Sequence, residues 1–76
     1  MSKLTREEVI NRMQSVSFLS GIELKVEWHS GSCWLNDAKN NTIVVGTTRE
    51  VYDSLYAIQE FLFILKDRGL MYAKEL

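Results

Sequence analysis

The sequence predicts an α+β domain with the element order α-β-β-β-α, in which a three-stranded antiparallel meander packs against an N-terminal helix and a longer C-terminal helix. Two capping boxes, Thr5 with Glu8 and Thr47 with Glu50, indicate where the two helices begin. Between them the hydrophobic side chains alternate, which is the period of a half-buried strand rather than of a helix. The connections between the strands are short, and short connections favour antiparallel neighbours.

The size and charge of the chain limit the classes of protein to which it can belong. Its 76 residues, 46% of them hydrophobic, suffice for a single small folded domain, residues 1–76. Nine basic and ten acidic residues give a net charge of −1. This balance disfavours nucleic-acid binding, because contacts with phosphate need an excess of positive charge.

The sequence also favours a cytoplasmic protein that does not cross a membrane. Its longest apolar run, residues 61–65, is far shorter than a membrane span. The polar residues 1–6 lead directly into a capped helix, so no signal peptide is predicted. Cys33 is the only cysteine, which excludes a disulfide framework and is typical of a reducing compartment.

The first helix is predicted to begin after Thr5 and to end within residues 17–20, where Gly21 can adopt a left-handed cap. Its narrow apolar stripe consists of Val9, Ile10, Met13 and Val16. Phe18 and Leu19 follow this stripe, and we expect them to turn under the sheet.

Three strands follow the first helix. Residues 22–28 alternate strictly, with Ile22, Leu24, Val26 and Trp28 predicted to face the core and Glu23, Lys25 and Glu27 predicted to face solvent. The turn 29–32 leads to a second strand over 33–36, and the loop 37–41 leads to a third over 42–45. We expect the helices to cover one face of this sheet and water to cover most of the other.

The second helix, from Thr47 to about residues 66–68, carries more apolar surface than one contact can use. One stripe consists of Val51, Leu55, Ile58, Leu62 and Leu65, a second of Tyr52, Tyr56 and Phe63, and the opposite flank of Phe61 and Ile64. The second stripe either packs against the first helix or forms a surface for a partner, and the sequence leaves both alternatives open.

We therefore predict a noncatalytic domain that acts by stoichiometric binding to a protein, either a second copy of itself or a host protein. The predicted contact residues are Trp34, Tyr52, Tyr56, Phe61, Phe63 and Ile64, with Asp53 and Glu60 at the rim. Trp34 is included because Cys33 and Leu35 compete for the inward positions of its strand and would turn it outward. The acidic residues are either an ordinary solvated face or a contact for a basic groove.

Two alternative functions depend on the hairpin between the first two strands. His29 and Cys33 lie across its turn. A histidine can act as the base that activates a nearby thiol, so the pair suggests a small enzyme or a ligand-binding protein. One histidine and one cysteine fall short of the ligands of a zinc site, and no cofactor is predicted. Weak nucleic-acid binding through Trp34 and the basic residues of the first helix is the second alternative.

The segment Val44–Tyr52, with the sequence VVGTTREVY, and the later pair Phe61-Leu62 carry a resemblance to known proteins. They are similar to the last strand and helix of many small phage or prophage proteins, in which a glycine-threonine turn leads into a helix that begins with glutamate, valine and tyrosine. The resemblance implies an accessory or host-modulating factor, such as an inhibitor of a bacterial defence system. It implies no catalytic residues.

Overall fold

The computed structural model describes residues 3–69, and these follow the predicted order of elements. The elements are helix α1 (Arg6–Ser20), strands β1 (Leu24–His29), β2 (Ser32–Asp37) and β3 (Thr42–Gly46), and helix α2 (Thr48–Asp67). The sheet has the order β1-β2-β3, and both pairings are antiparallel. The predicted α+β meander is confirmed. The tail 70–76, for which the sequence suggested a short turn or a frayed end, lies outside the described residues.

Both helices begin with the predicted capping boxes. The Thr5 hydroxyl accepts from the Glu8 amide at 3.2 Å, and the Thr5 amide donates to the Glu8 carboxylate at 2.8 Å. Thr47 and Glu50 repeat this exchange at 3.0 and 2.8 Å. Gly46 precedes the second box because any side chain there would collide with the Glu50 carboxylate. Each cap supplies partners for amides that the helix itself leaves unpaired.

The turn between β1 and β2 is tighter than the four residues predicted from the sequence. Only Ser30 and Gly31 lie between the strands, and both have positive φ angles, 51° and 81°. Positive φ at both central residues is the requirement of the type I′ turn, whose twist matches that of a hairpin. At this turn each strand extends one residue further than predicted, to His29 in β1 and from Ser32 in β2, and these two residues pair at the end of the ladder.

The turn between β2 and β3 is organised by one carboxylate. Asp37 accepts hydrogen bonds from the amides of Lys39 and Asn41 at 2.9 and 2.8 Å. The bonds from Asn41 are the main reason that the pKa of Asp37 lies below its usual value. Asn40 adopts a left-handed conformation with φ 67°, which asparagine tolerates better than most residues.

The core lies between the two helices and one face of the sheet. Its buried members are Val9, Met13, Val16, Cys33, Leu35, Val51, Leu55 and Leu62. Trp28 lies opposite Cys33 and Val26 opposite Leu35, so alternate side chains of β1 and β2 face the helices. Helix α1 contacts β1, and α2 contacts β2, β3 and α1. The predicted division into a covered face and an open face is confirmed for the described residues.

Two apolar residues near the end of α1 are not where the sequence placed them. Phe18 does not turn under the sheet but is 80% exposed, because α1 continues to Ser20 and carries Phe18 to the side opposite Val16. Ile22 is exposed and precedes β1, which begins two residues later than predicted. Its carbonyl accepts from the Ser17 hydroxyl at 2.6 Å, so this residue belongs to the connection. Leu19 packs partly buried against the core.

Candidate protein-binding surface

Helix α2 exposes large apolar side chains on both sides of an acidic ridge, which consists of Asp53, Glu60 and Asp67. The exposed apolar residues are Tyr56, Phe61, Phe63 and Ile64, each between 46% and 58% exposed. Because successive helical residues are rotated by about 100°, Tyr56 and Phe63 lie on the side of the ridge that faces α1, and Ile64 and Phe61 lie on the side that faces β3. The predicted excess of apolar surface is therefore present on both flanks of the helix.

The aromatic stripe of α2 was predicted either to pack against α1 or to form a surface for a partner, and its three residues differ in this respect. Tyr52 is half-buried against the core, and its hydroxyl accepts a hydrogen bond from Arg12 Nη2 at 3.1 Å. The same guanidinium lies 4.8 Å from the centre of the Tyr56 ring, a cation–π distance. Phe63, two turns further along, is about half exposed. Tyr52 thus packs against α1, whereas Phe63 and part of Tyr56 remain free for a partner.

A polar cleft between the two helices was not predicted from the sequence. It has a volume of about 310 Å³ and is lined by Glu8, Asn11, Arg12, Ser15, Tyr52 and Gln59. Gln59 is buried, and its Oε1 atom has no hydrogen-bond partner. Arg12 forms no ion pair with any residue in the range 3–69. The position of Gln59 beside the Val51–Leu55 stripe was the one indication of this cleft in the sequence.

Between the two helices and the sheet, near the end of α1, the core opens into an apolar groove of about 220 Å³. It is lined by Val16, Ser20, Ile22, Leu24, Leu35, Ile43, Ile58 and Leu62. Ile22 and Ile43 are about half exposed at its mouth. The groove shows that the second half of α2 runs beside the start of β3 and that the apolar surface continues from helix to strand.

Trp34 lies on the open face of the sheet, as predicted, because Cys33 and Leu35 take the inward positions and are almost completely buried. The indole is nevertheless only partly exposed. Its ring meets His29 edge-on with the centroids 6.3 Å apart, and its Nε1 atom is buried without a partner. Trp34 therefore offers a partner less surface than the four exposed residues of α2.

The structure does not bring His29 and Cys33 together. Cys33 points into the core, where burial raises the pKa of its thiol. His29 lies on the open face and donates from Nε2 to the Glu27 carboxylate at 3.0 Å, a bond that lowers the pKa of Glu27. A thiol and an imidazole on opposite faces of a sheet do not form a nucleophile–base pair. Among residues 3–69, no group of three or more His, Cys, Asp or Glu side chains could hold a metal ion.

The burial of Cys33 predicts that its thiol is protected in the folded protein. Reaction that requires global opening should be slower than in the unfolded chain by a factor of about 1,000 or more. The measurement is the rate of reaction with a chromogenic disulfide reagent, with and without urea. As a control, Phe18→Cys in a Cys33→Ser background should react at nearly the same rate in both conditions. Fast reaction of Cys33 without urea would contradict its placement in the core.

No helix within residues 3–69 has the length and apolar character needed to cross a lipid bilayer. Comparison with known protein families, curated proteins and solved structures finds no match to this chain. The exposed surfaces of the domain, above all the flanks of α2, are the features that indicate a function.

Proposed function

We propose that this chain is a noncatalytic protein-binding domain that acts by stoichiometric binding. The observation that carries the proposal is the pair of aromatic side chains Tyr56 and Phe63, each about half exposed on a regular helix beside the acidic ridge. Aromatic residues on a rigid element contribute strongly to protein interfaces, because they bury a large area with little loss of side-chain entropy. Tyr56 and Phe63, with the acidic ridge, are named here the aromatic–acidic face.

The charges of the aromatic–acidic face favour a partner with an apolar pocket bordered by lysine or arginine. Glu60 and Asp67 lie three residues before and four residues after Phe63, so all three side chains share one side of the helix. Neither carboxylate forms an ion pair with another of residues 3–69. The Oδ1 atom of Asp53 lies 3.6 Å from Nη1 of Arg49, so the negative charge of this carboxylate is partly neutralised. Complementary charges at a rim mainly raise the rate of association and fix the orientation of the partner.

The resemblance of the Val44–Tyr52 segment to phage accessory proteins implies that the partner is a host protein. We include this version in the proposal, because a stoichiometric inhibitor needs only a rigid contact surface and no catalytic group. The version in which the domain uses the aromatic–acidic face to bind itself is less favoured. A symmetric contact would bring the acidic ridges of two copies together, and like charges in an interface are destabilising.

The experiment compares capture of proteins from a host lysate by the wild type, Phe63→Asp and Phe18→Asp. Both substitutions replace an exposed phenylalanine by the same charge, but Phe18 lies on the far side of α1. We expect the wild type and Phe18→Asp to retain one partner in a 1:1 ratio. Phe63→Asp should weaken binding of the purified partner by about tenfold or more, the loss typical of a residue at the centre of an interface. Equal binding by all three proteins would contradict the proposal.

A further inference from the structure

Strand β3 forms an edge of the sheet that carries no charged side chain. Its sequence is Thr-Ile-Val-Val-Gly, and Ile43 and Val45 are each about half exposed. The sheet order is β1-β2-β3, so no strand among residues 3–69 pairs with the outer edge of β3. An uncharged edge strand presents free amides and carbonyls, which are a template for pairing with another strand.

The other edge of the same sheet is protected. Strand β1 carries Lys25 and Glu27 among its apolar residues and ends with His29. Charged side chains on an edge strand oppose pairing with another chain, because pairing would remove them from water or bring like charges together. The edge of β3 has no such charges. Its one irregularity is the register shift at Ile43, since Leu35 pairs with Val44 and Asn36 with Thr42.

The uncharged surface continues from β3 onto α2. Beyond the first turn of α2, the residues on this side are Ser54, Ala57, Phe61, Ile64 and Leu65, none of which is charged, whereas Glu50 lies on the same side in the first turn. Helix α2 contacts β2 and β3, whereas α1 contacts β1. The side of α2 that faces away from α1 therefore lies above the edge formed by β3. Ser54 and Ala57 are small enough to allow another helix to approach closely. Strand edge and helix flank therefore form one continuous surface, which we name the β3–α2 face.

We infer that the β3–α2 face binds a second copy of this chain. The two β3 strands would pair antiparallel about a two-fold axis, giving a six-stranded sheet with two antiparallel α2 helices in contact near Ala57 and Phe61. A two-fold contact uses the same surface on both copies. Antiparallel pairing keeps the two Glu50 carboxylates at opposite ends, so the uncharged central part of the face meets itself without repulsion. The inference goes beyond the proposed function, because it uses the other flank of α2 and does not depend on the aromatic–acidic face.

The ends of the β3–α2 face are compatible with this antiparallel arrangement. Antiparallel pairing brings the turn before β3 in one copy beside the start of α2 in the other. The turn carries Asp37 and Lys39, and the start of α2 carries Arg49 and Glu50. Lys39 of one copy and Glu50 of the other are therefore opposite-charge neighbours at both ends, and their attraction sets the direction of pairing. Asp37 is held by the amides of its own turn, and Arg49 faces Asp53 on the other flank of α2.

The size of the β3–α2 face indicates how strong the dimer is. Helix α2 has 20 residues, so its flank is about 30 Å long and about 10 Å wide. A five-residue strand edge adds about 17 Å in length, with a similar width. Together these dimensions give roughly 500 Å² per copy and about 1,000 Å² in total, at the lower limit of specific interfaces. We therefore expect dissociation in the micromolar range.

The test is the molar mass of the full chain, measured by light scattering and sedimentation from about 5 µM to about 500 µM, a range that brackets micromolar dissociation. The wild-type mass should rise with concentration from 8.8 kDa toward twice that value and no further. Val45→Lys and, independently, Ala57→Lys should raise the dissociation constant by about tenfold or more, because each places like charges near the axis. Phe18→Lys, the matched control, should dimerise as the wild type does.

Circular dichroism would verify that each variant is folded, and a cross-link would test the geometry. In a Cys33→Ser background, Ala57→Cys should form a disulfide between copies on mild oxidation, whereas Tyr56→Cys, on the other flank, should not. A strict monomer over the whole range, assembly beyond the dimer, or a dimer that both lysine variants leave intact would each overturn the inference. Capture of a host protein through Phe63 would be unaffected by any of these outcomes.

Discussion

Replacement of Leu55 by alanine is expected to lower the free energy of unfolding by about 2–5 kcal/mol. Leu55 is completely buried on the inner face of α2, where that helix meets both α1 and the sheet. A domain of 76 residues has a total stability of about 4–11 kcal/mol at the usual value per residue. The substitution should therefore remove between about a fifth of this stability and all of it. Urea unfolding followed by circular dichroism measures the loss.

The matched control is Ile64→Ala on the same helix. Ile64 is about half exposed, so its truncation should change the free energy of unfolding by about 1 kcal/mol or less. The comparison tests which face of α2 is the core face, and both binding proposals depend on this assignment. If Ile64→Ala were as destabilising as Leu55→Ala, the flank that includes Phe61 and Ile64 would be buried and unavailable to a partner.

The sequence was sufficient to predict the order of elements, because the features that determine it are local. A capping box involves residues three apart, so Thr5 with Glu8 and Thr47 with Glu50 could be recognised without any knowledge of the fold. Alternation along the strands is equally local, and it correctly divided Cys33 and Leu35 from Trp34.

Features that depend on contacts distant in sequence were not predictable. Whether Tyr52 packs against α1 or stays exposed depends on a hydrogen bond from Arg12, which lies 40 residues away in the chain. The exposure of Phe18 depends on where α1 ends relative to the sheet, and the narrow apolar stripe of that helix does not determine this. The exposure of Phe18 and of Ile22 is therefore the clearest departure of the fold from the sequence prediction.

The separation of His29 from Cys33 could have been found by a stricter use of turn chemistry. A two-residue turn at Ser30 and Gly31 places Cys33 opposite Trp28 and His29 opposite Ser32. Neighbouring residues in a strand point to opposite faces, so this register puts the thiol and the imidazole on different sides of the sheet. The four-residue turn predicted from the sequence left the register open, and with it the hairpin alternative.

Gln59→Met is expected to raise the free energy of unfolding by about 1–2 kcal/mol. Gln59 is buried in the cleft between the helices, and its Oε1 atom has lost contact with water without gaining a hydrogen bond. Methionine has nearly the same length and volume and removes the polar group that burial penalises. Gln14→Met is the control, because Gln14 is exposed on α1 and its substitution should change stability by about 0.5 kcal/mol or less.

The comparison of these two variants also bears on why the cleft is polar. A domain this small gains stability from every apolar contact in its core, so a glutamine at a buried position of α2 lowers the free energy of unfolding of the domain. If Gln59→Met unfolds at higher urea concentration than the wild type and Gln14→Met does not, the cost of the buried amide is established. A loss of stability in Gln59→Met would mean instead that the amide is satisfied in solution, and the cleft beside Arg12 would then be part of the architecture that holds α1 against α2.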